Sequence, residues 1–168
     1  MQAAGTGEVA GAAKLLCFFL GGQEYGAPIT EVKETLLVKP ITPVFLTPPW
    51  LAGIINLRGD VLAIIDLAQL LGQAPTAIND DSRIVVLLWR DPEDDDARPR
   101  LAGILVDRMA ELRTVDLGAL ETPPATLTPR GAELLRGVAT VEDGAPLCVL
   151  DLPALMTSER MRAFQPNA

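Results

Sequence analysis

Carboxylates and thiols are the groups that could do chemistry here, because the chain has no histidine and only two serines, Ser82 and Ser158. Neither serine lies in a GxSxG elbow, so serine-based acyl transfer has no frame. The lack of histidine removes Ser-His-Asp triads and the common zinc sites together, leaving at most a carboxylate-bound metal. The densest acidic run is Asp91, Glu93, Asp94, Asp95 and Asp96. It lacks the sharp-turn glycine of a calcium loop, and Ala102 stands at the twelfth position, where glutamate belongs. A solvated hairpin loop whose charges discourage edge association is the expectation. Asp66 and Asp107 could be posed as an acid/base pair, but strand-end carboxylates are more often caps or turn residues. Neither GxxxxGK[ST] nor GxGxxG occurs, so phosphate and dinucleotide cradles are absent. No enzyme, no cofactor and no metal site is expected.

Cys17 and Cys148 sit in apolar, strand-like runs without a CxxC spacing and read as buried small hydrophobes. By elimination, function lies on a surface. The stretch 51–71, LAGIINLRGDVLAIIDLAQLL, reads as two strands around a tight turn at Arg58-Gly59-Asp60. Alternation puts Gly53, Ile55 and Leu57 on one face and Ile54, Asn56 and Arg58 on the other. Residues 61–65 are apolar on both faces and are expected to be covered on both sides. That leaves one polar corner, at Asn56 and Arg58. An arginine there must reach solvent, pair internally or meet a partner, and Glu34 is the nearest plausible acid by pattern. A structural Glu34–Arg58 pair and a pair that also shapes an interface both fit.

The elements that must position this corner fit one domain, or two small subdomains sharing an interior, in 168 residues. Hydrophobic residues make up 49% of the chain and aromatics only 4%, so the core is built from Leu, Ile, Val and Ala. A net charge of −8 argues against a phosphate-backbone binder, so nucleic acid is not an expected partner. The run LLCFFL at 15–20 lacks the flanks of a signal peptide, and no run approaches the roughly 20 apolar residues of a membrane helix. A cytoplasmic protein without membrane insertion is expected.

In order, residues 1–13 read as a loose tail and 15–20 as the first strand, with a turn at Gly21-Gly22 and a return over 23–27. Residues 29–33 read as one helical turn with Ile29 and Val32 packing inward. Extended structure resumes at 36–38, and Pro40, Pro43, Pro48 and Pro49 enforce a loop. After a polar connector, 83–89 and 101–106 read as paired strands, and 112–120 as strand and turn. A short helix or loop over 128–135, strands at 137–141 and 146–152, a helix at 153–156 and a tail at 159–168 complete the reading.

The ending echoes the corner. Gly53-Ile54-Ile55 followed by Ile64-Ile65-Asp66-Leu67 has a counterpart in Gly137-Val138-Ala139 followed by Val149-Leu150-Asp151-Leu152. Such an echo predicts two similar small β-units, each a barrel or sandwich, packed together. Asp66 and Asp151, each ending a strand before a helical turn, are expected to be N-caps.

Gly53-Ile54-Ile55-Asn56-Leu57-Arg58-Gly59 followed by Ile65-Asp66-Leu67 closely resembles the signature of the CheW chemotaxis coupling family. Phe18-Phe19-Leu20, Glu24-Tyr25-Gly26, Val32-Lys33-Glu34, Ile41-Thr42-Pro43, the stretch 103–107 and Pro123-Pro124 extend the resemblance over most of residues 14–157. It implies a mainly β fold of two packed five-stranded SH3-like barrels with a few short helices, one domain over 14–158. It implies a non-enzymatic adaptor coupling the cytoplasmic tips of methyl-accepting chemoreceptors to the regulatory domain of a CheA-type histidine kinase, at membrane receptor arrays. A coupling or regulatory module of a pilus-motility or other non-flagellar kinase pathway is the alternative. Matching positions place Val32, Glu34, Gly53, Asn56, Arg58 and Gly59 at or near the partner contacts. Ala63, where the family usually has proline, and the long acidic segment 91–100 depart from the pattern.

Overall fold

The computed structural model describes residues 11–123 and 131–158. Its strands run β1 (Ala12–Leu20), β2 (Gln23–Pro28), β3 (Val32–Leu37), β4 (Leu51–Leu57), β5 (Asp60–Asp66), β6 (Arg83–Trp89) and β7 (Arg100–Val106). Then follow the two-residue β8 (Arg108–Met109), β9 (Arg113–Asp116), β10 (Leu135–Thr140) and β11 (Pro146–Leu150). Helix α1 (Leu67–Leu70) follows β5, and α2 (Leu152–Thr157) follows β11. One sheet orders its strands β9-β1-β2-β11-β10, with β8 also paired to β1; the other is β3-β6-β7-β5-β4.

The two sheets share one topology. Hairpin β4-β5 pairs in parallel with β7, and hairpin β10-β11 pairs in parallel with β2. Taking β9-β10-β11-β1-β2 in that order reproduces β3-β4-β5-β6-β7 strand for strand. The units are therefore circular permutants, with the second inserted after β2 of the first. Each sheet closes in the same way. Thr42, beyond β3, exchanges two 2.9 Å backbone hydrogen bonds with Ile54 of β4. Glu121, beyond β9, does the same with Val138 of β10, at 2.9 and 2.8 Å.

This closure explains the glycines of the repeat. A Cβ on Gly53 (φ +145°) would overlap the carbonyl oxygen of Thr42, and one on Gly137 would lie 2.7 Å from Leu120 Cβ and 2.8 Å from the Glu121 oxygen. Only glycine lets the closing segment approach so near.

Strand alternation divides the apolar side chains among three clusters. Leu15, Cys17, Leu147 and Val149 fill the first barrel, and Ile55, Leu57, Leu62, Ile64, Ile84, Val86 and Leu105 fill the second. The opposite faces, with Phe18, Leu20 and Tyr25 from one unit and Val85, Leu87, Trp89 and Ile104 from the other, form a shared core that α1 and α2 complete. Each fully buried Leu, Ile or Val contributes about 1.5–3 kcal/mol, so two-sided burial is what holds these short strands together. Cys17 and Cys148 are both free and buried, in the first barrel and the shared core respectively. Burial pushes their thiols up to about 12 and about 11.

Several expectations need correction. Strand β1 starts at Ala12, inside the stretch read as tail. The helical turn after Pro28 is a 3-10 turn over Ile29–Glu31, and Ile29 is exposed rather than inward, whereas Val32 does pack on the shared core. Strand β5 is not covered throughout: Val61 is 69% exposed, because it lies beside the hairpin turn, beyond the reach of β7, which pairs only with Ile64 to Asp66. Asp151 caps α2, accepting from the Ala154 N–H at 3.0 Å, but Asp66 makes no cap bond to α1. Its carboxylate is taken by Thr76, through N–H at 3.1 Å and Oγ1 at 2.9 Å, and by Gln69 Nε2 at 2.9 Å. A 3-10 turn over Ala132–Leu134 stands in the stretch read as a short helix or loop, whose first part, with the tails 1–10 and 159–168, lies outside the described residues.

Candidate partner-binding corner

The turn between β4 and β5 is a two-residue hairpin: Leu57 pairs with Asp60, and Arg58 and Gly59 between them have φ of +52° and +90°. Positive φ at both central residues is the type I′ pattern, whose twist matches that of the flanking strands. Gly59 adopts it freely and Arg58 does not. The turn is pinned by Asn56, whose Oδ1 accepts from the Gly59 N–H at 3.1 Å.

From this turn Arg58 reaches across to β3. Its Nη1 and Nη2 each donate to Glu34 at 2.7 Å, a bidentate fork with one N–H on each carboxylate oxygen. A bulge between Val32 and Glu34 sets the register of β3 against β6, leaving Lys33 outside the ladder and exposed. The side chains of Arg58 and Glu34 remain 65% and 21% exposed. A pair so open to water contributes little to stability. What it fixes is direction: the guanidinium is held in one orientation at the barrel surface. Hydrogen bonding from Arg58 holds the Glu34 carboxyl below its ordinary range, and Lys33 and Lys39 act in the same sense.

Glu34, Asn56, Arg58 and Gly59 thus meet at one corner. Gly53 lies at the far part of β4, about 17 Å from Arg58 by strand rise, buried beneath Thr42. Val32 is half-buried, with its apolar side on the shared core. Sequence reasoning missed Lys39, which donates to the Asn56 carbonyl at 3.4 Å. Nothing in its local sequence marks it; the proline-bent loop after β3 brings it back.

Asp66, Asp107, Asp91 and Asp94 hold turns and loops together. Asp107 accepts from the Gly21 N–H at 2.8 Å, fixing the β1–β2 turn, so it and Asp66 are each committed to loops rather than to each other. Asp91 and Asp94 accept from the N–H groups of Glu93 and Asp96, closing turns within their own loop. Among the described residues no group of three or more Cys, Asp and Glu is placed to hold a metal ion, and no helix is long and apolar enough to cross a membrane.

The described residues thus form two closed barrels with apolar interiors and an exposed bidentate Glu34–Arg58 pair at one corner. Residues 14–160 match the CheW-like domain family, and the chain belongs to it. It is 30% identical to the chemotaxis protein CheW of Rhizobium meliloti over 91% of this chain and 93% of that one. It is 32% identical to the CheW of Treponema pallidum over 89% and 85%. The crystal structure of the scaffolding protein TtCheW from Thermoanaerobacter tengcongensis superimposes with a TM-score of 0.73 at 27% identity, over 89% of this chain and 91% of that one. The two-barrel fold and the non-enzymatic, adaptor character of the chain follow from this membership.

Proposed function

We propose that this chain is a coupling adaptor of bacterial chemotaxis, joining the cytoplasmic tips of chemoreceptors to the regulatory domain of a CheA-type histidine kinase. It works in the cytoplasm, at receptor arrays in the membrane. The observation that carries the reading is the family match over residues 14–160 together with an Asn56-Leu57-Arg58-Gly59 turn presenting an oriented guanidinium at the surface. Apolar side chains fill both barrels, which supports binding at the surface as the means of action. Val32, Glu34, Asn56, Arg58 and Gly59 border the contact surface in this reading, and Gly53 supports it from below.

The test is calorimetric titration of the chain with a CheA regulatory domain and, separately, with a receptor-tip fragment. Binding to both, weakened by Arg58→Glu without loss of the folded state, supports the adaptor reading. Absence of binding to either partner overturns it.

A further inference from the structure

A second polar feature lies away from the corner, in a cleft of about 880 Å³ where the two units meet. The first unit supplies Gly21, Gly22 and Gln23, from the turn between β1 and β2. The second supplies Ala68 of α1 and much of the connector that follows, as far as Asp81. Asp107 and Arg108 complete the wall where the chain leaves β7. Two hydrogen bonds tie the sides together. Gln73 Nε2 donates to the hydroxyl of buried Tyr25 at 2.8 Å, and the Gly21 N–H donates to Asp107 Oδ2 at 2.8 Å. A cleft held in this way is preformed, and junctions between packed units are where ligand sites recur.

Its lining consists of small side chains and of charges without partners. Gly21, Gly22, Ala68, Gly72, Ala74 and Ala77 carry at most a methyl group, so a bound chain can approach the backbone closely. Arg108 is exposed, with its guanidinium carbon 3.8 Å from the centroid of the Phe19 ring. That stacking holds the plane of the guanidinium, and none of its N–H donors has a hydrogen-bond partner among the described residues. Asp107 has one oxygen on Gly21 and the other without a partner among them. The carboxylate of Asp81 also has none; only its backbone N–H is engaged, by Asn79 Oδ1 at 2.8 Å. Arg108 against Asp81 and Asp107 leaves 1 − 2 = −1 in the cleft. A phosphate or another pure anion would meet two like charges there, and a simple cation would meet Arg108. A molecule that carries an ammonium and a carboxylate together complements both signs.

We infer that the cleft binds a zwitterion of amino-acid chemistry, an amino acid or a short peptide, with its carboxylate on Arg108 and its ammonium on Asp81 and Asp107. The volume exceeds what a single amino acid fills and lies in the range of sites for larger ligands, so a peptide of a few residues fits best. None of these residues belongs to the corner, so the site stands or falls apart from the adaptor reading. Because both units form the walls, a bound ligand braces one against the other and stabilises the folded chain by mass action.

The experiment titrates the full, isotope-labelled chain with glycine, with triglycine, and with triglycine acetylated and amidated at its ends, reading amide NMR shifts and Tm. Triglycine shifts the amides of Gly21, Gly22, Gly72 and Arg108 saturably and raises Tm. The blocked peptide, which has lost both charges, binds about tenfold more weakly. Arg108→Gln and Asp81→Asn each weaken triglycine binding about tenfold, the first by removing the carboxylate's partner and the second the ammonium's. Glycine that binds at least as tightly as triglycine assigns the site to amino acids, and weaker glycine assigns it to peptides; both outcomes support the inference. Absence of saturable shifts at these amides overturns it, as does binding that either the blocked peptide or both variants retain undiminished. Arg108 and Asp81 are exposed side chains, and thermal melts check that both variants fold. Should Arg108→Gln unfold without its Phe19 contact, Asp81→Asn and the blocked peptide decide the matter.

Discussion

Where the second barrel places Leu36 and Leu101, both packed on its aliphatic interior, the first places Arg113 and Glu24 in an ion pair. The correspondence follows from the ladders. Gly26 faces Val149 and Cys17 as Gly103 faces Ile64 and Val86; Arg113 faces Leu15 as Leu36 faces Ile84. Glu24 is buried, and Arg113 reaches it with Nε at 2.7 Å and Nη2 at 3.2 Å. Beside its leucines and valines the first barrel carries Cys17, Ala13, Ala110 and Ala139, whereas the second is lined by Ile, Leu and Val with Ala52 alone among small side chains. The corner differs as well. Counting from the same landmarks, Glu34 and Arg58 correspond to Glu111 and Glu142, so only the second unit carries a cation at its hairpin turn. One topology thus accommodates either an aliphatic or a partly ionic interior. The unit with the more uniform apolar core carries the polar corner.

Closure should be the most sensitive feature and should rank the units. Gly53→Ala forces a Cβ into a backbone carbonyl, for which no rotamer offers relief, and is expected to cost about 3 kcal/mol or more. Gly137→Ala meets slightly longer approaches and is expected to cost about 2 kcal/mol. Urea denaturation of the two variants measures both. Equal costs below about 1 kcal/mol would mean that the closing bridges yield easily and that the shared core alone holds the barrels.

The ion pair gives the next largest effect. Glu24→Leu alone leaves Arg113 partly buried without its partner and is expected to lose about 2–4 kcal/mol. Glu24→Leu/Arg113→Leu imports the second barrel's solution and should recover to within about 1 kcal/mol of wild type. A double variant as unstable as the sum of the singles would show that the first barrel cannot accept two leucines in place of the ion pair.

These contrasts bear on what could be read from the chain. The two-sided strands β6 and β7 were legible because each is apolar at consecutive positions, as double coverage requires. The hairpin repeat was legible through its glycines, which closure requires, and through the aspartate that ends each hairpin. The permutation was not, because LLCFFL and IVVLLW correspond only in pattern, and β9 is short and polar. Glu34–Arg58 could be proposed from pattern, yet Lys39 could not, since only the loop's return brings it to Asn56. Asp66 was misread as a cap because its real partner, Thr76, lies ten residues on in a connector without periodicity.

The crossing between the units offers a pH test. Glu31, in the 3-10 turn linking β2 to β3, has a buried Oε1 without a hydrogen-bond partner among the described residues. Burial raises its carboxyl above the ordinary range; Arg136 of the first unit opposes this and Asp151 adds to it. A folded-state pKa above the unfolded one favours folding while the group is protonated and loses that contribution as pH rises through the folded value. Glu31→Gln should therefore raise Tm by a few degrees at neutral pH, and the gain should shrink toward zero as pH falls below the ordinary carboxylate range. A gain independent of pH would place the effect in packing instead.

The smallest effect concerns the one hairpin that the units connect most differently. The first unit joins β1 to β2 with Gly21-Gly22, whereas the second joins β6 to β7 through residues 90–99, the acidic loop. The loop's described hydrogen bonds close turns within it, from Asp91 to Ala97, and both hairpins end in the same register of facing residues. Closing entropy grows only with the logarithm of length, about 0.6 kcal/mol per doubling, so the shorter turn gains on the order of 1 kcal/mol and loses few contacts. Replacing residues 90–99 by Gly-Gly should shift stability by only about 1 kcal/mol, with Arg100 still over the Trp89 ring, now at 5.2 Å from its centroid. A loss of several kcal/mol in urea denaturation would show that the acidic loop holds the second barrel, and that the two hairpins are not interchangeable ends of one design.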